Sequence, residues 1–376
     1  MANDCLNAYD TLGKNQIAYR GGTMHEVAQA LLAWYEQTKR SLPWRETKDP
    51  YRIWVSEIML QQTRVETVIP YYQRFMQRFP DLAALSVASQ DEVVKYWEGL
   101  GYYSRVRRLH DAVKEVEAEY GGVVPNDQET FRSLPGVGEY TAGAVMSIAY
   151  DVDAIAVDGN VLRVFSRLFA VNKEITSQAA KKQIAAHVQD VLPSGQAGAF
   201  NQAIMDLGSA VCVRAKPRCN SCPLTAFCHA YAQDSAERFP VKKPKKMIPT
   251  HVFYVYLLQN ENKIAVRQRP QEGLLAGLWE LPYTSVPNKV ENDDFFTDSD
   301  QAKATLEAVF PHLNVHAIDY SGQFDHVFSH LKWQMHLFRG HVSETSKSES
   351  LQFVSPQERN QLTFGTIFTK MMKRYL

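Results

Sequence analysis

The sequence predicts a multidomain chain: an all-α domain closed by a cysteine-rich loop, followed by a small α+β domain. Three observations predict it. Apolar residues recur at helical spacing from Met24 to about residue 232. Cys212, Cys219, Cys222 and Cys228 crowd into seventeen residues at the end of that region. Beyond a stretch rich in proline and lysine, the periodicity changes to that of strands. The length of 376 residues suits two or three domains. A composition of 45% hydrophobic and 22% charged residues is globular and excludes collagen, long disorder and coiled coil. No apolar run approaches the ~20 residues of a membrane helix, and residues 1–23 lack the apolar stretch of a signal peptide. A soluble, intracellular, monomeric protein is expected. Net charge is zero, with 41 basic and 41 acidic residues, so composition alone does not point to nucleic acid.

Residues 1–23 read as a loose extension. The helical domain, 24–232, opens at Met24 with Val27, Leu31, Leu32, Trp34 and Tyr35 on one face. Further helices are expected over 51–63, 91–97, 103–120, 160–170 and 177–191. Gly99-Leu100-Gly101 breaks the second from the third. Residues 233–250 hold Pro240, Pro244 and Pro249 with four lysines and read as an extended linker. In 251–376, strands are expected over 251–258, 263–268 and 332–339, with a helix over 301–309.

The cysteines are spaced C-x6-C-x2-C-x5-C. Disulfides do not suit an intracellular chain. A zinc site and an iron–sulfur cluster both take four thiolates, and spacing alone leaves the two open. Residues 134–138 read Leu-Pro-Gly-Val-Gly before a helix at Glu139. Gly136 and Gly138 can take positive φ and let a phosphate approach the backbone N–H groups; a plain turn between helices is the simpler reading. Two carboxylates stand out. Glu57 sits mid-helix among apolar neighbours, either solvated on an outer face or buried with a raised pKa. Asp158 directly precedes a helix, where an N-cap is the ordinary role.

Placed in order along the chain, these motifs resemble a known family. The cysteine loop resembles the [4Fe–4S] loop of the endonuclease III superfamily. Leu-Pro-Gly-Val-Gly followed by Ala156-Val157-Asp158-Gly159-Asn160 resembles its helix-hairpin-helix and essential Asp. Trp54-Val55-Ser56-Glu57-Ile58-Met59-Leu60-Gln61-Gln62-Thr63 and Leu42-Pro43-Trp44-Arg45 resemble the adenine DNA glycosylase (MutY) branch. The resemblance implies a [4Fe–4S] cluster on Cys212, Cys219, Cys222 and Cys228. It implies double-stranded DNA containing A:8-oxoguanine or A:G mispairs as partner. Glu57 is then the acid that protonates adenine N7, and Asp158 stabilises the sugar cation. Asn160 and Tyr140 would hydrogen-bond Asp158. Tyr140 stands where bifunctional relatives carry a Schiff-base lysine, which implies hydrolysis without strand cleavage. Arg45, Gly136 and Gly138 fall among the DNA-binding positions, and Gln62 and Tyr102 would wedge the duplex as the base is turned out.

The segment Ile264 to Pro282 resembles the Nudix fold. No Glu-rich metal helix follows it, so a lesion reader without pyrophosphatase activity is expected. By resemblance, Ser329 and His330 would contact 8-oxoguanine. Rival readings are an endonuclease III-like enzyme for oxidised pyrimidines and a catalytically silent lesion-binding protein; a Nudix hydrolase is disfavoured by the missing metal helix.

Overall fold

The computed structural model describes residues 22–244, 247–286, 296–343 and 351–376. The expected loose extension over 1–23, apart from Gly22 and Thr23, lies outside the described residues, as do Cys5, Lys245 and Lys246. The chain packs as two units: residues up to Ala88 with Arg108–Pro244, and Ser89–Arg107 with Lys245–Leu376. No described helix is long and apolar enough to cross a membrane.

The first unit is helical. Thr23 opens the helix Met24–Thr38 with a capping box, its side chain accepting from Glu26 N–H. Asp49 caps the helix Pro50–Leu60, where proline at the first position costs no hydrogen bond. That helix stops three residues short of the expected end, because Gln62 adopts φ +58° and turns the chain. The helix Glu139–Ala149 packs on it, and Gly159–Leu168 packs on Ala197–Ala210. One core gathers Val161, Val164, Phe165 and Leu168 with Leu31, Ile184, Phe200, Ile204 and Leu207.

The expected linker is partly folded. Ala236–Arg238 forms a 3₁₀ turn, and Phe239 is buried. The carbonyls of Ala236 and Phe239 both accept from Arg167 Nε, at 2.9 and 3.1 Å, and Val241 O accepts from Ile175 N–H. A buried guanidinium needs these acceptors, so the chain stays on the helical unit to Val241.

In the second unit a mixed sheet carries the C-terminal residues. Its strands are β1 (Thr250–Asn260), β2 (Lys263–Gln268), β3 (Trp279–Glu280), β4 (Tyr283–Ser285), β5 (Val315–Val327), β6 (Lys332–Val342) and β7 (Gln352–Val354). The order is β3-β2-β1-β6-β5, with β1 and β6 parallel and the other pairs antiparallel. β4 pairs β1, and β7 pairs β2. Strand β1 is apolar from Val252 to Leu258, where both its faces are covered. Phe253, Val255 and Leu257 meet the C-terminal helix Thr366–Tyr375. Tyr254, Tyr256 and Leu258 meet the helix Ser299–Val309.

Candidate active site

Glu57 is 5% exposed, on a helix whose Trp54, Val55, Ile58 and Met59 are also buried. The packing settles which reading of the sequence holds: this glutamate faces the interior. Tyr140, from the first turn of Glu139–Ala149, donates its hydroxyl to Glu57 Oε2 at 2.6 Å. Burial pushes the Glu57 carboxyl up to about 7, and the charge of Asp158 adds to this; the Tyr140 hydrogen bond and Arg45 pull the other way. The Tyr140 hydroxyl is itself raised well above its usual value by burial and by the charges of Glu57 and Asp158. The three groups therefore share one electrostatic environment.

Asp158 caps the helix Gly159–Leu168. Its Oδ1 accepts from the N–H groups of Asn160 and Val161, both at 2.8 Å, and its Oδ2 accepts from Asn160 Nδ2 at 2.7 Å. Burial raises this carboxyl, against those hydrogen bonds and the Arg163 charge. Burial thus outweighs the lowering that a helix N-terminus alone would give. The two carboxyls still differ: Glu57 has one donor on it and Asp158 has three.

The backbone that delivers Asp158 is held from two sides. Asn201, fully buried, accepts from Ala156 N–H and donates to Ala154 O and Ser147 Oγ. Gly143 lets the Tyr140 helix approach this segment: a Cβ there would fall 1.9 Å from Ile155 O. At Gly208 a Cβ would fall 2.6 Å from Asn160 Cβ.

Some sequence expectations change. Asn160 does hydrogen-bond Asp158, but the Tyr140 hydroxyl goes to Glu57 and Met205 Sδ instead. Arg45 is no free cation for a phosphate. Its Nη1 and Nη2 donate to Asp206 Oδ2 and Oδ1 at 2.8 and 3.1 Å, and Arg40 joins the same buried carboxylate. Gly136 takes φ +76° in a turn closed by Val137 N–H to Leu134 O, with Pro135 before it, and a Cβ would strike Arg108 Cβ at 2.7 Å. Gly138 has φ −98°, a conformation open to any residue, and a Cβ there would meet nothing within 4 Å. Nothing in the fold around it requires glycine at that place.

Gln62 and Tyr102 are exposed and both have positive φ, +58° and +49°, uncommon for residues with side chains. Ser329 and His330 sit exposed at the tip of the β5–β6 hairpin, with Ser329 Oγ 3.3 Å from His330 Nδ1.

The four cysteines of the loop are free thiols lining one cavity. Burial raises Cys222 to about 12 and also raises Cys219 and Cys228. Arg167 Nη1 lies 3.2 Å from Cys212 Sγ. Among the described residues no three ligating side chains close on a point where a single ion would sit. Four thiols around one cavity are a donor set that fits a [4Fe–4S] cluster and equally a zinc ion.

Arg163 was not singled out from sequence. Its Nη2 donates to Asn160 Oδ1 at 2.8 Å and its Nε to Cys212 O at 2.8 Å, so one helix carries a polar chain from Asp158 to the first cysteine. The i, i+3 spacing of Asn160 and Arg163 was the available signal.

Residues 55–192 match the HhH-GPD superfamily base excision DNA repair proteins, and residues 253–374 match the NUDIX domain. The chain is 33% identical over 404 aligned residues to "Adenine DNA glycosylase" of Rattus norvegicus, covering 92% of this chain and 77% of that one. It is 36% identical over 256 residues to the protein of the same name from Buchnera aphidicola subsp. Baizongia pistaciae (strain Bp), covering 68% and 72%. A solved thermostable thymine-DNA glycosylase superposes with a TM-score of 0.51 at 30% identity, over 56% of this chain and 97% of that one.

Proposed function

This chain belongs to the adenine DNA glycosylases of the HhH-GPD superfamily, and on that premise we propose that it excises adenine paired with 8-oxoguanine, and adenine paired with G more weakly. It is a monofunctional base excision repair enzyme that hydrolyses an N-glycosidic bond in DNA.

The observation that carries the assignment of roles is the Glu57–Tyr140–Asp158 arrangement. A purine anion leaves a sugar poorly, so the base must gain a proton as the bond breaks. Glu57, raised to about 7, holds a proton near neutral pH and delivers it to adenine N7. The sugar becomes cationic. Asp158, kept in place by three hydrogen bonds, lies where negative charge stabilises that cation. Water then adds to the sugar carbon and gives its proton to the carboxylate that Glu57 became on protonating the base. Tyr140 offers no amine, so no imine forms and the strand stays intact.

Turning the adenine out of the duplex costs a few kcal/mol. Gln62 and Tyr102 fill the vacated stack, and Ser329 and His330 read the opposing lesion. Gly136 and Gly138 admit one phosphate to the backbone N–H groups at the start of Glu139–Ala149. Cys212, Cys219, Cys222 and Cys228 hold a [4Fe–4S] cluster. A cluster held by these four thiolates would fix the loop that carries Arg214, Lys216 and Arg218, cations suited to the phosphate backbone. The Nudix-like residues serve as a reader.

The test is direct. A duplex with A opposite 8-oxoguanine should lose free adenine in the presence of EDTA, and Glu57→Gln should abolish the release. Tight binding with no release by the parent protein would instead favour a silent lesion binder.

A further inference from the structure

Residues 89–107 bear the exposed ring of Tyr102 and pack with the C-terminal residues as one unit. The loop is braced internally. Gly99, Gly101 and Tyr102 all have positive φ, at +97°, +77° and +49°. Gly101 O accepts from Trp97 Nε1 and from Arg105 Nη2, and Gly99 N–H donates to the Tyr103 hydroxyl. The Arg105 guanidinium lies 5.4 Å from the Trp97 ring and 5.5 Å from the Tyr102 ring. Three side chains then tie its flanks to C-terminal backbone. Before the loop, Lys95 Nζ donates to Leu362 O at 2.7 Å, and Glu98 Oε1 accepts from Phe364 N–H at 3.2 Å. The two side chains also pair with each other at 2.6 Å. After the loop, Arg107 Nη2 donates to Ala276 O at 3.2 Å while its Nη1 holds Gln90 Oε1 at 2.6 Å. Gly277 makes room, since a Cβ there would fall 2.6 Å from Arg107 Nη2.

We propose that Lys95, Glu98 and Arg107 are positioning residues through which the C-terminal residues set the place of Tyr102, so that lesion reading and duplex wedging act together. This rests on the reading of Tyr102 as a wedge. Leu362 and Phe364 precede the C-terminal helix, and Ala276 lies in the β2–β3 loop, so two separate C-terminal segments grip opposite flanks of one tyrosine-bearing loop. Side-chain bonds to main-chain atoms transmit a displacement of the backbone that makes them, whatever side chains that backbone carries.

The experiment uses the full chain and a duplex with A opposite 8-oxoguanine and 2-aminopurine beside the lesion. The emission of 2-aminopurine rises when a neighbour is wedged away. Arg107→Met and, separately, Lys95→Met should cut the emission rise and the single-turnover rate of adenine release to about a fifth, the factor that one lost hydrogen bond supports. Thermal melting checks that each variant is folded. The two variants act on opposite flanks, so failure of one to fold leaves the other decisive. Arg107→Lys, whose amine still reaches a carbonyl, should recover most of the emission. A full emission rise in the folded Met variants, with Tyr102→Ala abolishing it, overturns the proposal and leaves the wedge reading standing. An emission rise that survives Tyr102→Ala removes the wedge reading and the proposal with it.

Discussion

The Tyr140 hydroxyl lies 2.6 Å from Glu57 Oε2 and donates to the one carboxyl that burial has carried to about 7. The acid form does the work, so adenine release under single-turnover conditions should fall as pH rises through about 7. Tyr140→Phe removes a bond that lowers the Glu57 pKa. Its descending limb should move to higher pH, and a limb that stays or moves down contradicts the assignment.

Glu57→Gln should raise stability while removing activity. The folded carboxyl titrates near 7 and the unfolded one near the usual 4.5. Between those values the folded state keeps a proton that the unfolded chain has released. The parent therefore loses stability as pH rises from about 4.5 to about 7 and is flat above. The Gln variant has no such loss. Urea melts at pH 8 should show it more stable, by at most about 3 kcal/mol, with the gap closing below pH 4.5.

Asp158→Asn keeps the helix cap, since asparagine accepts from the same N–H groups. The new amide group faces Asn160 Nδ2, which loses its acceptor, so stability should fall by about 1–3 kcal/mol. Adenine release should fall roughly a hundred- to a thousandfold, because the negative charge facing the sugar is gone. Equal activity in the Asn variant would remove Asp158 from the chemistry.

Borohydride added during turnover should trap no protein–DNA adduct, since Tyr140 occupies the place of the imine-forming amine. The product strand should break only after alkali. A trapped band on a denaturing gel would show an amine elsewhere in the site.

Gly208→Ala should hurt both fold and activity. The added methyl would press on Asn160 Cβ from 2.6 Å, and Asn160 holds Asp158 Oδ2. Overpacking of this kind costs about 1–3 kcal/mol. Melting temperature and excision rate should fall together, whereas Gly138→Ala, with open space around it, should spare the melting temperature.

The sequence showed most of this through local signals. Thr23, Asp49 and Asp158 mark helix starts by their caps, and the apolar run of β1 marks a strand. Other features depend on contacts between distant residues. β5, with Asp319, Ser321, Gln323 and Asp325 along it, lacks a continuous apolar stripe and becomes a strand by pairing with β6. The helix Thr366–Tyr375 likewise went unread at the chain end, although Ile367, Phe368, Met371 and Met372 keep helical spacing. In the candidate site, Glu57 and Asp158 were visible as motif residues, but the partner of Tyr140 was not. Nothing local tells a phenol which of two carboxylates it will meet. Arg45 misled for the same reason: its counter-ion Asp206 lies 161 positions away.

The guanidinium of Arg167 also has a practical bearing. It binds the Cys212 and Val213 carbonyls on one side and those of Ala236 and Phe239 on the other. A protein chemist who trims the gene to its helical half at Ala232 would strip away both acceptors of the Arg167 Nε while its Nη groups stay bound. A stop codon placed after Val241 keeps that knot tied.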